Sequence, residues 1–305
     1  MMHANVLKYF VEVARCSSIR KAAQNLYVAS SAVNRQILKL EAEMGTELFD
    51  RLPNGIRLNA AGERMLQHIR ATLNDFHLMR SELDDLKGER KGHVSVTAMD
   101  SLFVDFLPAT VEEFSDAYPA VTYSIAAVPP HDVPTRLVSG EYDVGISYIT
   151  KLPAGLDVVT EVSLPPGVVM ASSHPLAKME RISFDECRNH AFLRLEGRSP
   201  IQGVVTTDFP EYWESLRPSV TCNSTTLLKR LIASGRGISF FSKLAFLDEL
   251  ARGEVVWRPL DDVNVNALTV GVIAPNQRAL PHVTLEFVER IVRRLKHVEL
   301  ALRDV

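Results

Sequence analysis

The first sixty residues alternate apolar and polar positions at helical spacing. Two sets of apolar side chains recur three and four residues apart, so each set predicts an amphipathic helix with one buried face. These sets are Leu7, Phe10, Val11 and Ala14, and then Val33, Ile37, Leu40 and Met44. Between them, Ser18 is a predicted helix N-cap, and the small pair Ala22-Ala23 allows two helices to approach closely. The pattern predicts a helix-turn-helix.

A β-hairpin is predicted directly after these helices. Residues 48–51 and 56–58 have the composition of two short strands, and Pro53-Asn54-Gly55 lies between them. Asn-Gly accepts the positive φ that a tight hairpin turn requires. A helix-turn-helix followed by a hairpin is a winged helix.

The second amphipathic helix carries a polar face opposite its apolar stripe. At about 100° per residue, three polar side chains lie across from the stripe and two lie on its flank. Ser, Asn and Arg bond base edges in the major groove, although such residues on a helix surface are more often only solvated. The winged-helix context favours DNA contact here. The predicted base-facing residues are Ser30, Ser31, Asn34, Arg35 and Lys39, and the wing residues expected along the phosphates are Arg51, Asn54 and Arg57.

The charge distribution agrees with this surface. The whole chain has a formal net charge of −3. Residues 1–60 contain eight basic and five acidic residues, residues 61–92 are balanced, and the part beyond carries the negative excess. Because the positive excess of the head is small, we expect strong binding to double-stranded DNA only when two or more heads are presented together.

A long helix is predicted from Ala60 to about Lys87. The segment has no proline, Asn59 is a suitable N-cap, and Gly88 ends the helix. Its apolar residues continue at spacings of three and four, which favours pairing with the same helix of a second subunit over packing on its own domain. The predicted dimer residues are Leu66, Ile69, Leu73, Phe76 and Leu83. A two-fold dimer would read a pseudo-palindromic site.

Strands and helices alternate beyond Gly92, which predicts a mostly parallel sheet covered by helices on both faces. Strands are predicted at 93–99, 121–128, 142–148, 168–172, 192–195, 220–223, 238–241 and 267–274, and helices at 102–117, 133–139, 204–213, 225–234 and from His282 onward. Because the pattern restarts after Leu164-Pro165-Pro166, we expect two lobes.

The chain resembles the LysR-type transcriptional regulators, and the match runs without a gap over about the first 66 residues. It is carried by Leu7, Phe10, Ser18, Ala22-Ala23, Leu26, Val33, Arg35-Gln36-Ile37, Leu40-Glu41, Gly45, Leu48-Phe49, Arg51, Leu58, Ala61-Gly62 and Leu66, and more thinly by residues 140–146, 174–176 and 231–238. The departures lie at the DNA-reading end, where Ala29 replaces the usual capping residue. We therefore expect Ser30 to cap the recognition helix.

The resemblance implies a multidomain α/β protein. Its expected parts are an N-terminal winged helix-turn-helix (1–59), a long linker helix for dimerisation (60–90) and a C-terminal two-lobed α/β effector-binding domain with the periplasmic-binding-protein fold (91–305). Lobe I comprises 91–163 and 266–305, and lobe II comprises 164–265. The family also implies that a homodimer pairs again through the C-terminal domains into a homotetramer.

Ligands of open parallel sheets bind at the carboxyl ends of the strands, so the effector is expected between the lobes. The predicted effector residues are Asp100, Ser101, Val128, Pro129, Ser147, Tyr148, Arg198, Ser199, Ser224, Thr225 and Phe241. Ser199, Ser224 and Thr225 are equally well explained as helix caps. A helix N-terminus favours a carboxylate ligand, and Asp100 together with Arg198 would suit an amino acid.

Several other functions are disfavoured. No window is apolar enough to span a membrane and no signal peptide is evident, so a cytoplasmic protein is expected. Cys16, Cys187 and Cys222 lack metal-ligand spacing, so neither a metal nor a cofactor is expected. No hydrolase, phosphate-loop or zinc-protease motif is present. The alternatives that stay open are an architectural DNA-binding protein without ligand control and an α/β enzyme.

Overall fold

The structure is a computed structural model that describes residues 2–53, 55–87, 91–196 and 217–302. The chain forms two compact units, Met1–Arg80 and Ser81–Val305.

The first unit is a winged helix-turn-helix, as the apolar pattern predicts. Its elements are α1 (Met2–Cys16), α2 (Ile19–Asn25), α3 (Ser30–Met44), β1 (Phe49–Leu52), β2 (Gly55–Leu58) and the first part of α4 (Ala60–Asp85). Strands β1 and β2 pair antiparallel with Phe49 opposite Leu58. Phe10, Val33, Ile37 and Leu48 lie in one buried core. We call this unit the head.

The ends of the helices follow from local hydrogen bonds. Ser18 caps α2 as predicted, because its side chain accepts from the amide of Lys21. Asn59 Oδ1 accepts from the amide of Gly62 at 2.9 Å at the start of α4. The expectation that Ser30 caps α3 is wrong: the helix begins at Ser30, and the N-cap is Ala29, which has no side-chain hydrogen bond.

Two apolar side chains of the head lie in a different environment from the one that the sequence predicted. Met44 is exposed and does not join the core, because α3 ends beside it at Gly45, which is left-handed. Ile69 is fully buried in the head core, with Leu66 and Leu73 packed against the same cluster. Ile69 therefore does not form a free dimer seam, since the first half of the α4 stripe already has a partner in its own head.

The second half of the α4 stripe is uncovered. Phe76, Met79 and Leu83 are 53%, 42% and 49% exposed. At about 100° per residue they continue the face that carries Ile69. A single apolar face of a 26-residue helix, about 40 Å long, is thus buried at one end and exposed at the other.

The second unit has two lobes of similar topology. The first lobe contains β3 (Lys91–Ala98), a 3₁₀ turn (Asp100–Leu102), α5 (Phe106–Ala117), β4 (Ala120–Ala127), α6 (Val133–Val138), β5 (Val144–Tyr148) and β6 (Leu156–Val162). The second lobe contains β7 (Pro166–Ala171), a 3₁₀ turn (Pro175–Lys178), α7 (Phe184–Cys187), β8 (Phe192–Leu195), β9 (Pro218–Cys222), α8 (Thr225–Ala233), β10 (Ser239–Ser242), a 3₁₀ turn (Lys243–Ala245), α9 (Leu247–Ala251), β11 (Val255–Arg258) and α10 (Val263–Asn266). The chain then returns through β12 (Val270–Pro275) and α11 (His282–Ala301).

The first sheet has the order β4-β3-β5-β12-β6. The predicted parallel arrangement is present, since β3 pairs parallel with both β4 and β5. Strand β12 is antiparallel to β5 and β6. The chain leaves this lobe after β6 and returns before β12, so β12 enters the sheet at the end where β6 stops and must run the other way.

The second lobe repeats this plan. Strand β7 pairs antiparallel with β10 and β11, and β8 pairs parallel with β9. A parallel bridge between Phe192 and Ile238 joins β8 to the start of β10. The resulting order, β9-β8-β10-β7-β11, matches the first lobe, with β7 in the place of β12.

The sequence did not predict every element. Strands β6 and β11, which lie beside β12 and β7, were not predicted. The helix expected from residue 102 begins at Phe106, since Pro108 is tolerated only in a first turn. The predicted helix at 204–213 lies outside the described residues.

Gly62 generates a test of the head. A Cβ at this position would overlap the carbonyl oxygen of Leu48 and lie 2.8 Å from the Leu58 side chain. We expect Gly62→Ala to destabilise the head by about 1–3 kcal/mol, because the backbone must shift. Denaturant unfolding of the full chain measures this change. Ala61→Ser at the exposed neighbour is the control, and equal stability of the two variants would contradict the close packing.

Candidate DNA-binding surface and effector cleft

The exposed face of α3 is the first part of the candidate DNA-binding surface. Ser30, Ser31, Arg35 and Lys39 are exposed, as predicted for a base-reading face. The Lys39 ammonium has only a long contact to Glu43, 3.8 Å from Nζ to Oε1. Asn34 is partly buried, and its Oδ1 is buried without a partner among the described residues. Contact between this oxygen and a base therefore requires rotation of the side chain.

The wing supplies the second part of this surface. Arg51 and Arg57 are exposed on β1 and β2. One guanidinium nitrogen of Arg57 lies 3.5 Å from Oδ2 of Asp50. Asn54, the predicted contact at the tip, lies outside the described residues.

The wing is attached to the end of α1. The amide of Ile56 donates to the carbonyl of Ser17 at 3.1 Å. Gly55, the residue before Ile56, has φ +143°, and a Cβ there would be 2.6 Å from the Ser17 carbonyl oxygen. A side chain at Gly55 would therefore push the wing away from the helices, and the position of Arg57 depends on this glycine.

A polar cluster holds α1 against α2. The Glu12 carboxylate accepts from Arg15 Nε at 2.9 Å and from Asn25 Nδ2 at 2.8 Å. The hydrogen bond from Arg15 is the largest of several contacts that lower the pKa of Glu12 to about 2. The cluster includes Cys16, whose pKa is raised by burial and by its hydrogen bond to Glu12.

The second unit brings residues of both lobes together at the start of α8. Asp100, after the first strand of lobe I, accepts from the backbone amide of Thr225 at 3.2 Å. Ser224 acts as the N-cap of α8 by accepting from Leu227. Thr225 is buried, yet its Oγ1 has no hydrogen-bond partner among the described residues. Two of the predicted effector residues, Asp100 and Thr225, therefore meet where the two lobes touch.

Lys229, one turn further along α8, makes a second connection between the lobes. Its ammonium lies 3.1 Å from Asp105 Oδ2 and 3.0 Å from Glu249 Oε2, and its side chain is only 5% exposed. A buried charge of this kind is stable only with such partners. Lys229 was not predicted from the sequence, although a lysine in line with the apolar residues Leu228 and Ile232 was a signal.

Most of the other predicted effector residues make hydrogen bonds or packing contacts within the protein. Ser147 is buried and donates to the carbonyl of Pro130 at 3.1 Å. Burial raises the pKa of the Tyr148 hydroxyl, against a smaller opposing effect of its hydrogen bond with Ser242. Phe241 packs on Phe246 within the lobe II core. Val128 packs beneath the first sheet. The other predicted positions are Ser101, which is partly buried, and Pro129, which is exposed. Arg198 and Ser199 lie outside the described residues.

Lys243 is a further residue that the sequence analysis missed. It donates to the carbonyl of Leu302 at 2.6 Å and lies over the Trp257 ring, 4.7 Å from its centre. Burial lowers its pKa, and the nearby Arg258 adds to this effect.

Cys16, Cys187 and Cys222 are free thiols, and burial raises the pKa of Cys187 to about 12.

In the part of the chain that the structure describes, no helix combines the length and the apolar character that a bilayer crossing requires.

A winged-helix head joined by a long helix to a two-lobed α/β unit defines a class of DNA-binding proteins with a separate ligand-binding domain. Residues 4–63 match the bacterial regulatory helix-turn-helix proteins of the lysR family, and residues 87–296 match the LysR substrate binding domain. The chain belongs to the LysR-type transcriptional regulators. It is a DNA-binding transcriptional regulator with an effector-binding domain, and not an enzyme.

Similar proteins cover nearly the whole chain. The transcriptional dual regulator GltC of Bacillus subtilis is 26% identical over 307 residues, which span 98% of this chain and 99% of GltC. The HTH-type transcriptional regulator AlsR of Bacillus subtilis is 25% identical over 270 residues, with 87% and 88% covered.

Solved structures share the fold. Full-length OxyR from Pseudomonas aeruginosa has a TM-score of 0.65 at 19% identity and covers 95% of this chain and 96% of its own. Full-length CbnR complexed with its target DNA has a TM-score of 0.58 at 21% identity, with 95% and 99% covered.

The two kinds of arginine in the head generate a test. We expect Arg35→Met to cost about 1–3 kcal/mol at a cognate site and to relax its sequence preference. Arg57→Met is expected to weaken binding to all duplexes alike. It should also reduce the slope of log affinity against log salt concentration by about 1. Fluorescence anisotropy over a salt series measures both effects. Arg236→Met, which removes the same charge from the second unit, is the control, and indistinguishable effects of the two head variants would contradict the assignment.

Proposed function

We propose that the protein acts as a homodimeric regulator that binds two half-sites on double-stranded DNA and responds to a small organic acid or amino acid. The observation that carries the proposal is the exposed polar face of α3, opposite the buried residues Val33, Ile37 and Leu40. A regulator of this kind acts where the DNA is, so we infer a cytoplasmic location.

Base reading is assigned to α3 and phosphate contact to the wing. Ser30, Ser31 and Arg35 are exposed near the start of α3, the part of a recognition helix that reaches base edges in a helix-turn-helix. Asn34 and Lys39 extend this surface along the helix. Arg51, Asn54 and Arg57 would set the position of the head on the duplex, since phosphate contacts carry no sequence information.

Dimerisation is assigned to the exposed half of the α4 stripe. Large apolar side chains in a row are poorly accommodated by water, and a second copy of the same helix would cover them. This assignment keeps Phe76 and Leu83 from the predicted set and adds Met79. Leu66, Ile69 and Leu73 support the interface indirectly, by fixing α4 on the head. The further pairing of dimers into a tetramer rests on the family resemblance alone.

The dimer interface is tested by the double variant Phe76→Glu with Leu83→Glu. Because both side chains are exposed in the single chain, the head should still fold. We expect sedimentation velocity to give half the wild-type mass, and affinity for DNA to fall by about 100-fold or more as the second head is lost. The control is Gln67→Glu with Ala71→Glu, which adds the same charge on the opposite face of α4. Wild-type mass for the Phe76 and Leu83 variant would exclude this interface.

The effector is assigned to the interlobe contact at the start of α8. A helix N-terminus stabilises an anion, and here the anion is the chain's own Asp100 carboxylate. We infer that an effector carboxylate takes the place of Asp100 on the Thr225 amide and receives a second hydrogen bond from the Thr225 hydroxyl, which has no partner among the described residues. If the effector is an amino acid, its ammonium would pair with the displaced Asp100.

This exchange would allow a bound ligand to change the arrangement of the two lobes. Asp100 and Thr225 belong to different lobes, so exchanging their contact for contacts to a ligand changes the relative stability of the lobe arrangements. A ligand can shift such an equilibrium only by the difference in its affinity for the two arrangements. The ion pair of Lys229 with Asp105 opposes separation of the lobes and would set how large that difference has to be.

Calorimetry with a panel of amino acids and organic acids tests the effector site. For a ligand that binds, Thr225→Val should weaken binding about tenfold, since one hydrogen bond to a charged group is lost. Thr226→Val, the exposed next residue of α8, is the matched control. Asp100→Asn should weaken binding of an amino acid and strengthen binding of the acid that lacks the amino group. Absence of binding by the whole panel would contradict this effector class, and equal affinities of the two threonine variants would contradict this site.

A further inference from the structure

Tyr27 stands out in the turn that joins α2 to α3. Its φ is +54°, in the left-handed region, and Ser17 is the other non-glycine residue with positive φ in the described ranges. Bulky side chains rarely adopt this conformation. Tyr27 is also 94% exposed, more than any other large hydrophobic residue that the structure describes.

The backbone of the turn imposes this conformation. The amide of Tyr27 donates to Gln24 at 3.2 Å, and the amide of Val28 donates to Ala23 at 3.0 Å. These hydrogen bonds bring α3 close to the end of α2, and they require a left-handed residue between the helices. Glycine or asparagine would adopt that conformation at a lower cost.

Packing of the Tyr27 ring in the folded head does not offset this backbone strain. An aromatic ring normally stabilises a fold by burying its surface, and this ring is almost entirely in solvent. Strain retained without a packing benefit is a feature of binding and catalytic sites. The position of Tyr27 therefore points to a contact outside the head.

The location of Tyr27 identifies the contact. It precedes Ser30, the first residue of α3, by three positions. In a helix-turn-helix the N-terminal end of the recognition helix enters the major groove, so a side chain in the turn before it faces the phosphates at the groove edge. Tyrosine hydroxyls are among the groups that donate to phosphate oxygens.

We propose that the Tyr27 hydroxyl donates a hydrogen bond to a DNA phosphate oxygen and so positions the start of α3 in the groove. This contact rests on the proposed role of α3 in DNA binding, and it is additional to the base-facing residues of α3 and the arginines of the wing. It is independent of base sequence. Because the hydroxyl is neutral, it releases no counterion and leaves the salt dependence of binding unchanged.

Two variants of the full chain test this proposal. Tyr27→Phe removes only the hydroxyl, and Tyr27→Asn removes the ring but suits the left-handed turn. We expect both variants to bind a mixed-sequence duplex about tenfold more weakly, with the wild-type salt slope. Tyr27→Asn should also slow hydrogen exchange of the α3 amides, because the strain is relieved. Tyr9→Phe, at the other tyrosine of the head, is the control and should leave binding unchanged.

The direction of the change in hydrogen exchange for Tyr27→Asn separates a binding role of Tyr27 from a structural one. A structural role for Tyr27 would make Tyr27→Asn both less stable and weaker in DNA binding. Wild-type affinity of Tyr27→Phe would overturn the proposal. So would weakened binding by Tyr27→Asn accompanied by faster exchange in α3.

Discussion

The proposed assembly of the regulator depends on one apolar stripe on α4. Its first half, centred on Ile69, is buried in the head core, and its second half, from Phe76 to Leu83, is exposed. Phe76 and Met79 belong to the same compact unit as α3, so a partner that covers them would lie on the helix that the head core holds. In the proposed dimer, the stripe would couple the apolar association of two chains to the spacing of two recognition helices.

The lobes of the second unit are joined by polar as well as apolar contacts. Asp100 accepts from the Thr225 amide and Asp105 pairs with Lys229, while Leu244 of lobe II is buried in the core of lobe I. Polar contacts of this kind can be exchanged for contacts to a ligand with little net change in free energy, whereas an apolar core cannot be opened so easily. Together with the proposed dimer contact on α4, exchangeable polar contacts between the lobes would suit a regulator that stays assembled while it responds to a ligand.

Much of the architecture could be predicted from periodicity. The helices of the head, the wing and the parallel strands of lobe I follow from local patterns, since each buries one face. Strand β6 could not be predicted, because four of its seven residues are exposed. The division of the α4 stripe was also hidden, since Ile69 and Phe76 look alike until the head is folded. The contact of Asp100 with Thr225 joins residues far apart in sequence, and Tyr27 was missed because its significance lies in its φ value.

In the proposed dimer, the exposed end of α4 presents two heads to the DNA at a defined spacing. A hydroxyl-radical footprint of the full chain, on the DNA immediately upstream of its own coding region, tests it most directly. We expect two protected segments on one face of the duplex, about one helical turn or a small multiple of it apart. A single protected segment of the length that one head covers would contradict the account.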